Sequence, residues 1–105
     1  MPDVFATGFL VGLVEWACVL ATNPHLEPHE QTVGTHVNMS HEAATPPGLE
    51  VTVTVELIHI EGRLLRFSVH AHDGFDTITR GTHDRMAVDK QRFLQTIQRK
   101  RHQDI

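Results

Sequence analysis

The second half of this chain contains three long runs in which apolar and polar residues alternate, separated by short turn signals. Alternation with a period of two is typical of a β-strand that buries one face. The predicted strands are Leu49–Glu61, Leu64–Asp73 and Asp76–Val88, and the turns between them are Glu61-Gly62 and Asp73-Gly74. Because such short turns join strands that are neighbours in space, the three runs predict an antiparallel meander.

Two irregularities and one further strand complete the predicted sheet. The alternation weakens at Ile58–Ile60, which predicts a bulge or a twist, and we expect the third run to be interrupted at Gly81. Thr32–His41 predicts another strand before the meander. Ala44–Gly48, which contains two consecutive prolines, predicts the turn between this strand and the first strand of the meander.

The first half opens with a segment that is apolar nearly all round. Phe5–Ala21 predicts a helix that belongs in the middle of a domain, and Pro24 and Pro28 end it. Its apolar character also raises the question of a membrane span. However, Glu15 lies in its middle, where a charge costs roughly 2.5–3.5 kcal/mol on insertion scales, so a buried helix is favoured.

The predicted order of elements is typical of an α+β domain. Asp89–Arg101 predicts a second, amphipathic helix with Asp89 as its N-cap and a basic end at Arg99–His102. Residues 1–105 are therefore expected to form one domain, with a central buried helix wrapped by a curved antiparallel sheet. This is the hotdog arrangement. It normally opens with a strand before the helix, and we expect that first strand to be missing here.

Charge and cysteine content exclude some classes of function. The formal net charge of −4 argues against a protein that coats nucleic acid. All nine Lys and Arg residues lie at Arg63 or later, whereas eight Asp and Glu residues precede it, so basic groups for an anionic ligand must come from the second half. Cys18 is the only cysteine, which excludes an internal disulfide and predicts a reducing, cytoplasmic location.

Four residues of the first half are suited to chemistry. Burial of Glu15 in its helix would raise its pKa toward general-base range, unless it lies at a polar gap or a subunit interface. Thr7 is most simply an N-cap and becomes a nucleophile only beside a base. His41 could be that base. Gly34, inside a predicted strand, indicates a bulge or a close ligand approach, where its N–H could stabilise an oxyanion.

A metal site is the weaker alternative. His70 and His72 share one face of a strand, and His83 is a possible third ligand. The spacing is common, however, and no supporting shell of residues is evident. A solvated strand face is therefore favoured, with no metal.

The chain closely resembles the hotdog-fold acyl-CoA thioesterases, and within them the fluoroacetyl-CoA thioesterase family. The resemblance spans nearly the whole chain and is carried by Val4-Phe5-Ala6-Thr7-Gly8-Phe9, Val11-Gly12-Leu13, Glu15-Trp16-Ala17-Cys18, Leu26-Glu27-Pro28, Gly34-Thr35, His41, Ala43-Ala44-Thr45-Pro46-Pro47-Gly48-Leu49, Val51-Thr52-Val53-Thr54, Glu61-Gly62-Arg63, Ala71-His72-Asp73-Gly74 and Gly81-Thr82-His83.

This resemblance implies an enzyme, a site and a partner. The family's catalytic threonine, glutamate and histidine fall on Thr7, Glu15 and His41, and its acyl-contacting glycine and its arginine fall on Gly34 and Arg85. We therefore expect a cytoplasmic homodimer that hydrolyses a short-chain acyl-CoA, with coenzyme A as part of the substrate and no separate cofactor. Neither nucleic acid nor a membrane is expected as a partner. A non-catalytic acyl-CoA or small-ligand binding module is the alternative.

Overall fold

The computed structural model describes residues 7–103, and its elements follow the predicted order closely. They are α1 (Thr7–Thr22), a short 3-10 turn (Asn23–His25), β1 (Glu30–Met39), β2 (Thr52–Glu61), β3 (Leu64–His72), β4 (Thr77–Asp89) and α2 (Lys90–Gln103). The predicted start of the first helix at Phe5 lies outside the described residues. Each predicted strand and helix is confirmed, with ends shifted by a few residues.

The four strands form one antiparallel sheet in the order β1-β4-β3-β2. Strands β2, β3 and β4 are the predicted meander, because each pairs with the next along the chain. Strand β1 pairs with β4 from the other side. Strand β4 is therefore hydrogen-bonded on both of its edges, and it joins the first half of the chain to the meander.

The sheet has three register shifts in the described residues, and two lie where the sequence indicated an irregularity. The shift in β2 lies between Leu57 and His59, which confirms the irregularity expected around Ile58. A second shift lies in β1, between Gly34 and His36, beside the glycine that indicated a bulge or a close approach, and a third lies in β3, between Ala71 and His72. The expected interruption of β4 at Gly81 is wrong, since the strand runs through that position. The glycine is there because a side-chain carbon would overlap the backbone carbonyl oxygen of Asn38 in β1.

The core lies between one stripe of α1 and one face of the sheet. The helix contributes three residues spaced four apart, Leu10, Val14 and Cys18. Each of them is at most 1% exposed. They pack against the alternate positions of β3 that face the helix. Burial raises the pKa of the Cys18 thiol to about 11, so this cysteine is an inert part of the core.

The expectation that α1 is buried on all sides is wrong for the single chain. Trp16 and Leu20 are 58% and 55% exposed, and Gly8 and Gly12 have no atom near the position of an added side-chain carbon. One helix face therefore packs on the sheet, while the opposite, equally apolar face lies at the surface. No helix in the described part of the chain is both long enough and apolar enough to span a membrane.

The predicted N-cap of the second helix is confirmed. The Asp89 carboxylate accepts a hydrogen bond of 3.0 Å from the backbone N–H of Arg92, three residues into the chain beyond it. This bond, which is stronger to the ionised acid than to the neutral one, lowers the pKa of Asp89. A backbone bond of 2.9 Å from Lys90 to the His29 carbonyl ties the start of α2 to the connector before β1.

An ion pair across β3 and β4 stabilises the fold at neutral pH and is lost in acid. Arg66 donates to both carboxylate oxygens of Asp84, at 2.8 and 3.0 Å, and these bonds hold the pKa of Asp84 below its ordinary value. A depressed pKa means that the unfolded chain takes up the proton more readily. The stabilisation is therefore present above pH ~4 and is lost as the pH falls through the folded-state pKa.

We expect the melting temperature of the wild type to fall as the pH is lowered below about 4. Asp84→Asn should melt at a lower temperature at pH 7 and should lose less on acidification, because the carboxylate that titrates is gone. Asp76→Asn, at an exposed position in the nearby turn, is the control. Equal acid dependence in Asp84→Asn and the wild type would contradict this assignment.

Candidate active site

Glu15 of α1 is paired with a buried arginine of the sheet. Its Oε2 lies 3.6 Å from Nη1 of Arg85, whose side chain is only 6% exposed. The Glu15 side chain itself is 43% exposed, so within the single chain it is not buried, and a position at a polar gap or interface fits the structure better. The carboxylate lies at the edge of the helix–sheet contact, where water or a ligand can reach it.

Arg85 is held in place by two residues of the same sheet. It donates from Nε to the Thr32 hydroxyl and from Nη2 to the Thr32 carbonyl, both at 2.9 Å. Its Nη1 lies 3.2 Å from Nε2 of His83, two residues earlier on β4. Since side chains two apart on a strand share a face, both of these β4 residues point toward α1.

His83 is completely buried, and its hydrogen bonds determine its tautomer. A guanidinium can only donate, so Nε2 of His83 must accept from Arg85. Nδ1, which lies 2.9 Å from the carbonyl oxygen of His36, must then carry the proton and donate it. The pair of contacts therefore selects the neutral imidazole with its hydrogen on Nδ1.

The position of His83 contradicts the alternative metal site. His83 lies on the helix side of the sheet with both ring nitrogens occupied, whereas His70 and His72 are exposed. The rings of that exposed pair are 6.0 Å apart. Within residues 7–103, no cluster of three potential ligands is found.

Gly34 lies where the helix and the two strands meet. A side-chain carbon at this position would lie 3.2 Å from His83 Cε1 and 3.4 Å from both Arg85 Nη1 and Glu15 Oε2. In the β1–β4 register Gly34 is also the direct partner of Arg85. The absence of a side chain at Gly34 thus lets a carboxylate, a guanidinium and an imidazole pack closely against the backbone of β1.

Thr7 and His41 form a second group. The Thr7 hydroxyl oxygen lies 2.7 Å from Nδ1 of His41, and both residues are exposed in the single chain. If the hydroxyl donates, the imidazole accepts at Nδ1 and can remove the proton from the hydroxyl or from a water in its place. A hydroxyl and an imidazole at this distance have the geometry of a nucleophile and its base.

The two groups are separated along one helix. Thr7 is the first residue of α1 and Glu15 is eight residues further on, with no break between them. Eight residues of an α-helix correspond to about 12 Å along its axis. The structure therefore brings Glu15, Gly34 and Arg85 together, and Thr7 with His41, as two separate groups of the single chain.

Sequence reasoning missed two members of the group around Glu15 and Arg85, namely Thr32 and His83. For His83 it missed the buried position beside Arg85. The i, i+2 spacing of His83 and Arg85 was a usable signal, because it places both on the face that carries Phe67 and Val69 in the neighbouring strand. The contribution of Thr32 depends on the pairing of β1 with β4, which local sequence does not determine.

Comparison with known proteins assigns this arrangement to a family. Residues 1–91 match the model of the fluoroacetyl-CoA-specific thioesterase family. The chain is 54% identical over 99 residues to the fluoroacetyl-CoA thioesterase of Streptantibioticus cattleyicolor, covering 94% of this chain and 71% of that enzyme.

Solved structures agree in fold. A variant of the fluoroacetyl-CoA-specific thioesterase FlK, in complex with fluoroacetate and CoA, is 55% identical and superimposes with a TM-score of 0.91, covering 94% of this chain and 77% of that one. A hot-dog-like protein from Thermanaerovibrio acidaminovorans shares the fold alone, with a TM-score of 0.88 at 19% identity over 93% of this chain and 73% of the other.

The fold is therefore the predicted hotdog fold, and the class of protein is an acyl-CoA thioesterase. Within that class, the chain belongs to the fluoroacetyl-CoA-specific thioesterase family.

The close packing at Gly34 leads to a prediction. Gly34→Ala should lower kcat/KM by about 10-fold or more, because the added methyl group would displace the side chains of His83, Arg85 and Glu15. The φ of Gly34 is not positive, so any fall in the melting temperature should come from this displacement and not from backbone strain. Val33→Ala, the neighbouring position on the opposite face, is the control. Wild-type kinetics in Gly34→Ala would show that turnover does not depend on the positions of these three side chains.

Proposed function

We propose that the protein hydrolyses a short-chain acyl-CoA thioester to the free acid and coenzyme A, with fluoroacetyl-CoA the first candidate substrate. The observation that carries the proposal is the hydrogen bond between the Thr7 hydroxyl and His41 Nδ1, two residues on which the resemblance places the family's catalytic threonine and histidine. Coenzyme A enters as part of the substrate, and the reaction needs no further cofactor.

In the proposed reaction, His41 is the base and the proton carrier. It accepts a proton from the Thr7 hydroxyl, or from a water that takes the same place, as the oxygen attacks the thioester carbonyl. The C–S bond then breaks, and the same proton passes to the departing CoA thiolate. If Thr7 is the nucleophile, the acyl group resides on its oxygen until a water, deprotonated by His41, releases the acid.

The group around Gly34 would recognise the acyl end and assist the attack. Glu15 orients or activates the attacking water, and the Gly34 N–H helps to hold the oxyanion. Arg85 offers a buried cationic N–H beside this glycine.

A homodimer accounts for the separation of the two groups. Glu15 is about 12 Å along α1 from Thr7, so one substrate carbonyl can meet both only if a second copy supplies one of them. The exposed apolar face of α1, with Trp16 and Leu20, supports the second copy as its partner. We also retain a cytoplasmic location as a proposal, supported by the single, free and buried Cys18.

Hydrolysis of a panel of acyl-CoA thioesters, followed by thiol release, tests the function. We expect turnover of fluoroacetyl-CoA and other short acyl groups, and a decline as the acyl chain lengthens. Glu15→Gln and His41→Ala should each lower kcat by at least about 100-fold while leaving the melting temperature near that of the wild type. Binding of the panel without thiol release would favour the alternative, a non-catalytic acyl-CoA binding module.

A subunit-mixing experiment tests whether the site is shared. Glu15→Gln and His41→Ala dimers, each inactive alone, should recover about a quarter of wild-type activity when equal amounts are mixed and allowed to exchange. In the mixed dimer one site contains both substitutions. The other site contains the wild-type Glu15 of one copy and the wild-type His41 of its partner, and is intact. Half of the dimers are mixed, and each has one intact site of two.

The matched control mixes Thr7→Ala with His41→Ala, whose positions lie in hydrogen-bonding contact within one chain, and the mixture should show no activity above the mean of the two variants measured separately. If Glu15→Gln mixed with His41→Ala also stays inactive after confirmed exchange, the site lies within one chain and the shared arrangement is wrong.

A further inference from the structure

His83 is a fully buried histidine that the proposed reaction leaves without a role. Its relative exposure is 0%, and it lies on the helix side of β4. One ring nitrogen is bonded to the His36 carbonyl and the other to Arg85, so the ring cannot turn without breaking a buried hydrogen bond. Its Cε1 also lies close to Gly34.

The hydrogen-bond inventory of Arg85 shows what His83 does for it. A guanidinium carries five N–H groups. Two are taken by Thr32 and one of the two on Nη1 is taken by His83. This leaves a second hydrogen on Nη1, the atom that lies 3.6 Å from Oε2 of Glu15.

We propose that His83 is a positioning residue that fixes the guanidinium of Arg85, and through it the carboxylate of Glu15. As the acceptor at one end of the guanidinium, with Thr32 at the other, His83 aims the remaining Nη1 hydrogen along the edge of Gly34 toward Glu15. The proposal rests on the proposed function, because its effect on turnover passes through Glu15.

Two substitutions separate the two bonds of the imidazole. In His83→Gln the longer side chain can place an amide oxygen near the position of Nε2 and still accept from Arg85. In His83→Asn the shorter amide lies near the position of Nδ1, so it can donate to the His36 carbonyl but cannot reach Arg85. Both variants are polar, and they differ in which partner they retain and by one methylene group in length.

The proposal gives an ordered set of kinetic results. His83→Asn should lower kcat for the best acyl-CoA of the panel by about 10-fold or more, because the guanidinium is released from one side. His83→Gln should have a kcat about 5-fold or more above that of His83→Asn. His70→Asn, an exposed histidine of the neighbouring strand, should have the kcat of the wild type and is the matched control.

A double-mutant cycle distinguishes positioning from a general loss of structure. If His83 acts through Glu15, then His83→Asn should lower kcat by less than about 2-fold in a Glu15→Gln background. The same factor in both backgrounds would overturn the proposal, and so would a wild-type kcat in His83→Asn. Should His83→Asn fail to fold, Thr32→Val removes one of the two acceptors at the other end of Arg85 and is tested in the same cycle.

A readout that does not need turnover keeps this proposal separate from the proposed function. The Nε–H of Arg85, bonded to Thr32 and buried, should give a resolved, slowly exchanging NMR signal in the wild type. That signal should survive in His83→Gln and exchange at least about 10-fold faster in His83→Asn. An unchanged exchange rate in His83→Asn would overturn the positioning role, whereas absence of wild-type hydrolysis would overturn only the proposed function.

Discussion

The pairing of β4 with both β1 and β3 is the constraint on which the rest of the structure depends. It brings Gly34 of β1 opposite Arg85 and Leu65 of β3 opposite the same arginine. Because the strand is hydrogen-bonded on both edges, its helix-facing side chains are fixed from either side. The chain can therefore bury a histidine and an arginine there without leaving a buried polar atom unpaired in the part that the structure describes.

Strand β4 also supplies basic partners to two acidic residues of the first half. Glu15 approaches Arg85 at 3.6 Å, and Glu42 accepts from Arg80 at 2.8 Å. The hydrogen bond from Ser40 and the bond from Arg80 lower the pKa of Glu42. The first half has no Lys or Arg of its own, so these contacts depend on β4.

The sequence allows most of the fold to be predicted, because alternation, turn dipeptides and capping residues act over a few neighbouring positions. The strands of the meander, the irregularity near Ile58 and the Asp89 cap are all of this kind. The resemblance to a family points to Thr7, Glu15 and His41, whose roles remain predictions. The contact of Thr32 with Arg85 could not be predicted, since it depends on the register between strands about fifty residues apart in the chain.

The register shift between Gly34 and His36 changes which residues of β1 face the helix. Before it, the even-numbered residues of β1 face the helix, as Thr32 and Gly34 do; after it, the odd-numbered Val37 and Met39 take over. The single extra residue, Thr35, lets one strand offer polar groups to Arg85 at one end and apolar groups to the core at the other. Deleting Thr35 would keep either the polar residues or the apolar residues on the helix side of the strand. The other residues would then turn to the opposite face. Length in this strand is therefore under tighter constraint than the identity of most of its side chains.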